Sequence, residues 1–244
     1  MERHCPSCGK TFSEEGETCP HCGASLTQNK AGEPAQMKEY SSPWDDRDSV
    51  GFFRALVDTW TQVMFSPARF FSRMPPEGGL GGPLLYGFIM GEVGFLFTLM
   101  WKSMSALVPP FVEQNGFGDY VGEMMGITFL FFASPALVLA ALFIFSGVLY
   151  VCLLIVGGTQ RSFEATFRVV CYASSTDLLD ILPCCGWIIG LVWNLVLTVV
   201  GIRETHKIST GRAALAVLLP AIVCCGFLSI IFLIALPYIA DWFD

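Results

Sequence analysis

Between Val50 and Met64 the apolar residues Phe52, Phe53, Leu56, Val57, Trp60, Val63 and Met64 recur at spacings of 1, 3, 1, 3, 3 and 1, which gathers them on one side of a helix. Arg54, Asp58, Thr61 and Gln62 fall largely opposite. Such a helix is too polar to span a bilayer and suits its surface. Ser66-Pro67 then restarts a shorter one carrying Phe70, Phe71 and Met74. Residues 50–75 are therefore predicted to form amphipathic interfacial helices, although the same stripe would serve a helix packed on the protein's own loops.

Beyond residue 80 the polar face disappears. Apolar runs at 84–107, 127–156, 167–182, 187–202 and 213–235 predict five crossings at about 1.5 Å of rise per residue, with Pro135 marking a bend in the second. The third run is the shortest and contains Asp177 and Asp180. Pro183-Cys184-Cys185-Gly186 should tie the third and fourth runs into a tight helical hairpin. The predicted fold class is an all-α polytopic membrane protein, a five-helix transmembrane domain over 80–244 behind a small N-terminal metal-binding ribbon.

Composition supports the division. Of the residues, 53% are hydrophobic and only 14% charged, too little charge to solvate a soluble domain of this length. Residues 1–50 hold 5 Lys/Arg and 9 Asp/Glu, so 14 of the 35 charges lie in the first fifth of the chain. The net charge of −7, with no dense basic cluster, argues against a nucleic-acid binder that neutralises phosphates with its own surface, and no nucleic-acid partner is expected. Beside the spans, a cytoplasmic N-terminus places Arg54, Arg69, Arg73, Arg161, Arg168, Arg203, Lys207 and Arg212 inside and leaves only Lys102 toward the outside. The expected location is an integral membrane, the bacterial inner membrane if the source is prokaryotic, with the N-terminus cytoplasmic and the C-terminus outside.

The first residues lack the layout of a cleaved signal peptide. They carry two copies of C-P-x-C-G, one with Cys5 and Cys8, the other with Cys19 and Cys22. Each C-x-x-C presents two thiolates from one knuckle, and two knuckles supply the four soft ligands of a tetrahedral zinc ion. Ten residues separate Cys8 from Cys19, enough for a short hairpin containing Phe12 but too few for an apolar core, so one structural Zn2+ would hold residues 1–23 together as a zinc ribbon. Four thiolates fill the shell, which leaves His4 and His21 as bystanders and no open position for catalysis. Residues 24–49, rich in Ser, Gln, Asn, Gly and Pro, read as a flexible linker with Trp44 among its few large apolar residues.

Three passages in order, S-P-A-R-F-F-S-R-M before the first span, G-G-T-Q-R-S-F-E-A-T-F-R-V-V-C-Y-A-S into the third, and I-L-P-C-C-G-W-I-I-G-L-V-W followed by G-I-R-E-T-H-K-I-S-T-G-R-A-A, resemble the Yip family over roughly residues 65–220. The resemblance implies five spans, a cytosolic N-terminus, a short exposed C-terminus and a membrane-organising or adaptor role. Eukaryotic members of that family associate with small GTPases of the Rab/Ypt type and with vesicle traffic. This chain has a zinc ribbon where they have an acidic, Tyr-containing segment, an arrangement similar to prokaryotic relatives, so Rab binding is not carried over.

Ionisable groups inside spans are costly and are functional candidates by default. Glu92 lies between Gly91 and Gly94, and Asp177 and Asp180 stand three residues apart on one helical face. At about 1.5 Å per residue, Asp177 lies roughly 9 Å and Asn194 roughly 11 Å from the outer side, so the two can face each other, with Glu92 somewhat lower. Either these groups form a proton or cation site, or they act as interhelical glue. Cys184-Cys185 and Cys224-Cys225 lie at different depths and are not expected to converge; Cys224, Cys225, Cys152 and Cys171 read as small packing residues, and Cys184 and Cys185 as turn residues. The loop with Arg203, His206, Lys207 and Arg212 suits anionic headgroups. No catalytic motif is present, so no enzyme is expected.

Three functions follow. The leading one is a non-enzymatic membrane-organising or trafficking-type adaptor using the ribbon for partner recognition. The alternatives are a small transporter or channel using Glu92, Asp177, Asp180 and Asn194, and a membrane-shaping or lipid-handling role for the aromatic helix. Expected partners are the lipid bilayer and a protein bound through the ribbon, with homo-oligomers as an option.

Overall fold

The computed structural model describes residues 3–4, 11–12, 21–22, 42–107 and 117–240. The chain divides into two compact units, Met1–Tyr40 and Ser41–Asp244. In the first, β1 (Arg3–His4) and β2 (Thr11–Phe12) pair antiparallel with Arg3 opposite Phe12 and His4 opposite Thr11. Phe12 is thus on a hairpin, but its partner strand precedes Cys5, so the hairpin spans the first C-x-x-C and does not lie between Cys8 and Cys19. Cys5, Cys8 and Cys19 lie outside the described residues, while His21 and Cys22 form an exposed turn.

The second unit is helical. Its short elements are α1 (Arg47–Val50), α2 (Phe52–Phe65) and α3 (Pro67–Arg73), the last begun by a proline whose fixed φ suits the first helical turn. The long ones are α4 (Gly81–Leu107), α5 (Phe117–Val156), α7 (Gly186–His206) and α8 (Thr210–Ala240), with α6 (Phe163–Ala173) between α5 and α7. Among the described residues, 81–105, 121–156 and 186–206 are long and apolar enough to cross a membrane. Their outward surfaces expose Phe129, Phe132, Ile144, Phe145, Trp187 and Leu191, a surface suited to lipid. α5 passes through Pro135 without a break. A proline has no amide to offer the carbonyl four residues back, and the Ser134 hydroxyl lies 2.9 Å from that carbonyl, Phe131 O.

The third expected run, 167–182, is not a plain helix. α6 tightens after Ala173 into a 3-10 helix over Ser174–Ile181, eight residues where three or four are usual. Its steeper rise lets residues 163–181 reach about 32 Å, against about 28 Å as an α-helix. Two neighbours lie almost backbone to backbone with it. A Cβ on Gly94 of α4 would meet Asp177 O at 2.5 Å, and a Cβ on Gly186 of α7 would overlap the Leu179 carbonyl. The turn before α7 is tight, with the Cys185 amide on Pro183 O at 2.8 Å and Cys184 in the left-handed region at φ 68°.

The linker expected over 24–49 ends earlier, because Ser42–Val50 is part of the folded unit. Trp44 is fully buried, its indole N–H donates to Gly82 O at 2.7 Å, and its ring meets Tyr86 and Phe52 edge-on at 5.6 and 5.3 Å. A large aromatic in a polar stretch finds its burial in the tertiary core.

The stripe on α2 is also divided. Ala55, Thr59, Val63 and Met64 face the protein, whereas Phe53 is 79% exposed, and Val57 and Phe65 are exposed too. One face of the helix is thus packed on the protein and the adjacent one is exposed.

Two outcomes are expected from this packing. Gly94→Ala or Gly186→Ala should lower stability by about 1–3 kcal/mol through overpacking against the 3-10 backbone, whereas Gly147→Ala, with no atom within 4 Å of its Cβ, should not. Thermal unfolding in detergent measures the contrast, and equal effects at all three positions would refute it.

Candidate functional site

The polar groups inside the bundle gather on α6 and the 3-10 helix. A 3-10 turn bonds its carbonyls with poorer geometry than an α-turn, so they readily accept a second donor. Three side chains from three elements provide one. Asn194 Nδ2 of α7 donates to Ala173 O at 3.2 Å and to Thr176 Oγ1 at 3.0 Å. The Trp60 indole of α2 donates to Ser175 O at 2.9 Å, and the Trp101 indole of α4 donates to Asp180 O at 3.0 Å.

Two hydroxyl chains complete the interior. Ser175 Oγ donates to Tyr172 O at 2.7 Å, which leaves the Tyr86 hydroxyl to donate to Ser175 Oγ at 2.7 Å. On the other side Ser42 Oγ donates to Asp45 Oδ2 at 2.9 Å and accepts from the Tyr172 hydroxyl at 3.1 Å.

Arg168 of α6 ties this network to the chain before α1. It is 2% exposed, and its guanidinium lies 3.4 Å from Asp45 Oδ2 and 3.8 Å from Glu164 Oε1. It also donates to Gly79 O at 3.1 Å, while the Gly79 amide donates to Glu164 Oε1 at 2.6 Å. Gly79 holds φ at 92°, a conformation that lets both its amide and its carbonyl serve the pair. Arg168, one of the cations expected on the inner side, is also an internal ion-pair partner. Glu164 and Arg168 have helical i,i+4 spacing that can be read in the chain; Asp45, 123 residues from Arg168, cannot be paired that way.

The four intramembrane residues singled out from the sequence meet different hydrogen-bond and packing partners. Glu92 Oε1 meets the Ser134 hydroxyl of α5, and its Oε2 is buried without a hydrogen-bond partner among the described residues. Asp180 Oδ2 accepts from Thr98 Oγ1 of α4 at 3.3 Å. Asp177 packs against the small Gly91 and Gly94 face of α4. The Asn194 amide nitrogen goes to the junction and its oxygen accepts from Thr198 at 3.4 Å, so Asn194 serves the backbone beside Thr176. Among the described residues no three His, Cys, Asp or Glu side chains gather closely enough to hold a metal.

The cysteines divide. Cys152 and Cys171 are buried, with Cys171 lying where a Cβ on Gly87 would come within 3.0 Å of its backbone. Cys184, Cys185, Cys224 and Cys225 are exposed, so Cys224 and Cys225 are surface residues of α8 and not the packing residues expected.

The ion pair yields a quantitative expectation. Asp45→Ala or Arg168→Gln should each lower stability by about 1–3 kcal/mol, the exposure of Asp45 and Glu164 reducing the larger cost of a fully buried pair. The double variant should cost less than the two combined, as a double-mutant cycle in detergent measures, and strict additivity would show that the two side chains are not coupled.

The apolar helices make this chain an integral membrane protein. No curated protein and no solved structure matches it. A family model described as the Yip1 domain matches residues 61–233, from α2 into α8 and well over half of the chain, and the chain accordingly belongs to the Yip1-domain family.

Proposed function

We propose that the protein is a non-enzymatic, trafficking-type or membrane-organising adaptor with five spans, and that its cysteine knuckles close a cytosolic zinc ribbon that recognises a protein partner. Membership of the family supports a membrane role of the trafficking kind. The observation that carries the adaptor reading over transport is how the interior polar groups are engaged. Asn194, Trp60 and Trp101 bind backbone carbonyls, Thr98 meets Asp180, and Ser134 meets Glu92, each joining one helix to the next. Interhelical hydrogen bonds of this kind hold a bundle together, whereas a transport site gathers its acids around one cargo position.

The five-span reading adds α6 with its 3-10 extension, and α8, to the three apolar helices. Orientation rests on seven cations, Arg54, Arg69, Arg73, Arg161, Arg203, Lys207 and Arg212, against Lys102, once Arg168 is assigned to its internal pair. Phe53, Val57 and Phe65 give α2 an outward face suited to the membrane surface.

For the ribbon, β1 and β2 close a hairpin whose connection contains Cys5 and Cys8, and Cys22 lies in an exposed turn. Such knuckles fit a structural Zn2+ held by Cys5, Cys8, Cys19 and Cys22, which would supply the stability that so few residues lack.

Purified protein should contain about one zinc per chain, and replacing Cys5, Cys8, Cys19 and Cys22 by Ser should abolish it, as metal analysis after gel filtration measures. Zinc retained in the fourfold variant would exclude these ligands. For the adaptor role, crosslinked complexes should be captured from membranes with the full chain and with residues 1–40 deleted. The deletion must stop there, because Ser42, Trp44 and Asp45 belong to the membrane unit. Loss of specific partners supports recognition by the ribbon, and an unchanged set of partners refutes it.

A further inference from the structure

At one end of the bundle two short connections face each other, residues 157–162 between α5 and α6, and 207–209 between α7 and α8. His206, fully buried at the end of α7, joins them. The Gln160 amide points at His206 Nδ1 at 3.4 Å; an amide only donates, so Nε2 carries the hydrogen and donates to Thr166 Oγ1 at 3.0 Å. Ile208 fills the space left by Gly158, where a Cβ would come within 3.1 Å of Ile208 Cδ1. Lys207 takes the left-handed conformation at φ 54°, and its amide returns to Arg203 O to close α7. A lysine accepts this conformation at a cost that glycine would not bear.

These connections border an open, solvent-accessible pocket of about 530 Å³, within the range of small-ligand sites. Gln160, Arg161, His206, Lys207, Ser209 and Arg212 line it, and no acidic side chain does. Arg161 comes from one connection, while Lys207 and Arg212 flank the other. Arg161 and Arg212 form no ion pair among the described residues, and Lys207 has only a 3.8 Å contact with Glu204. Three cations facing one cavity repel one another unless an anion lies between them. Ser209 and the start of α8 at its wall add a hydroxyl and the partial positive charge of a helix N-terminus. Two guanidinium forks around one polar cavity match the oxygens of a phosphate better than those of any neutral group.

We propose that this cavity binds a phosphate-bearing anion, either a phospholipid headgroup or a soluble phosphate, through Arg161, Lys207 and Arg212. The site is independent of the ribbon and does not require the adaptor reading.

The test uses the full chain purified in a mild detergent, with phosphatidic acid and inorganic phosphate as probes and phosphatidylcholine as the zwitterionic reference. Native mass spectrometry should show phosphatidic acid retained over phosphatidylcholine, with Arg161→Gln/Arg212→Gln weakening it about tenfold or more. Arg161→Lys/Arg212→Lys, which keeps the charge, should bind closer to the parent than the Gln pair does, and thermal unfolding verifies that each variant is folded. Arg203→Gln, which removes a neighbouring cation already paired with Glu204, should change little. If millimolar inorganic phosphate displaces the lipid, the cavity serves a soluble phosphate; if it does not, the headgroup is the ligand. Binding of neither probe, or an equal loss in Arg203→Gln and the double variant, overturns the proposal.

Discussion

The 3-10 segment Ser174–Ile181 lies almost backbone to backbone with its neighbours, and donors on the surrounding helices reach its carbonyls. A 3-10 turn bonds its own carbonyls three residues on, with poorer geometry than an α-turn, so in an apolar surround a second donor is favourable. Asn194, Trp60 and Trp101 supply such donors from three different elements. Gly94 and Gly186 bring their helices close enough for those side chains to reach.

The same logic explains why the folded unit begins before its first apolar helix. Tyr172 and Arg168 of α6 need partners that the long helices do not provide, and Ser42 and Asp45 supply them. Trp44 fills the space between that strap and α4. The strap therefore fixes where the N-terminal segment leaves the membrane unit, which matters for any element carried ahead of it. α2 extends the arrangement sideways, with one face on the protein and Phe53 turned away from it.

Function follows from what this interior does and does not do. Many of its polar groups join one helix to another, a pattern suited to a stable platform. The proposed recognition elements lie at the periphery: the cysteine knuckles ahead of residue 41, and the basic pocket lined by Arg161, Lys207 and Arg212.

The sequence by itself determined the positions of the long helices, the amphipathic pair at 50–75, the turn at 183–186 and the knuckle spacing, because each depends on neighbours within a few residues. Helical period, apolar length and C-x-x-C spacing are local quantities. Only the tertiary structure decided that 167–182 contains a 3-10 helix, that Ser42–Val50 is packed, that Arg168 pairs with Asp45, and that Asn194 serves a backbone carbonyl and not Asp177. The sequence marked Glu92, Asp177, Asp180 and Asn194 as costly to bury without showing what each would meet. The physical reason is distance along the chain: these contacts join residues about 20 to more than 120 positions apart, and no local preference of either partner records the other.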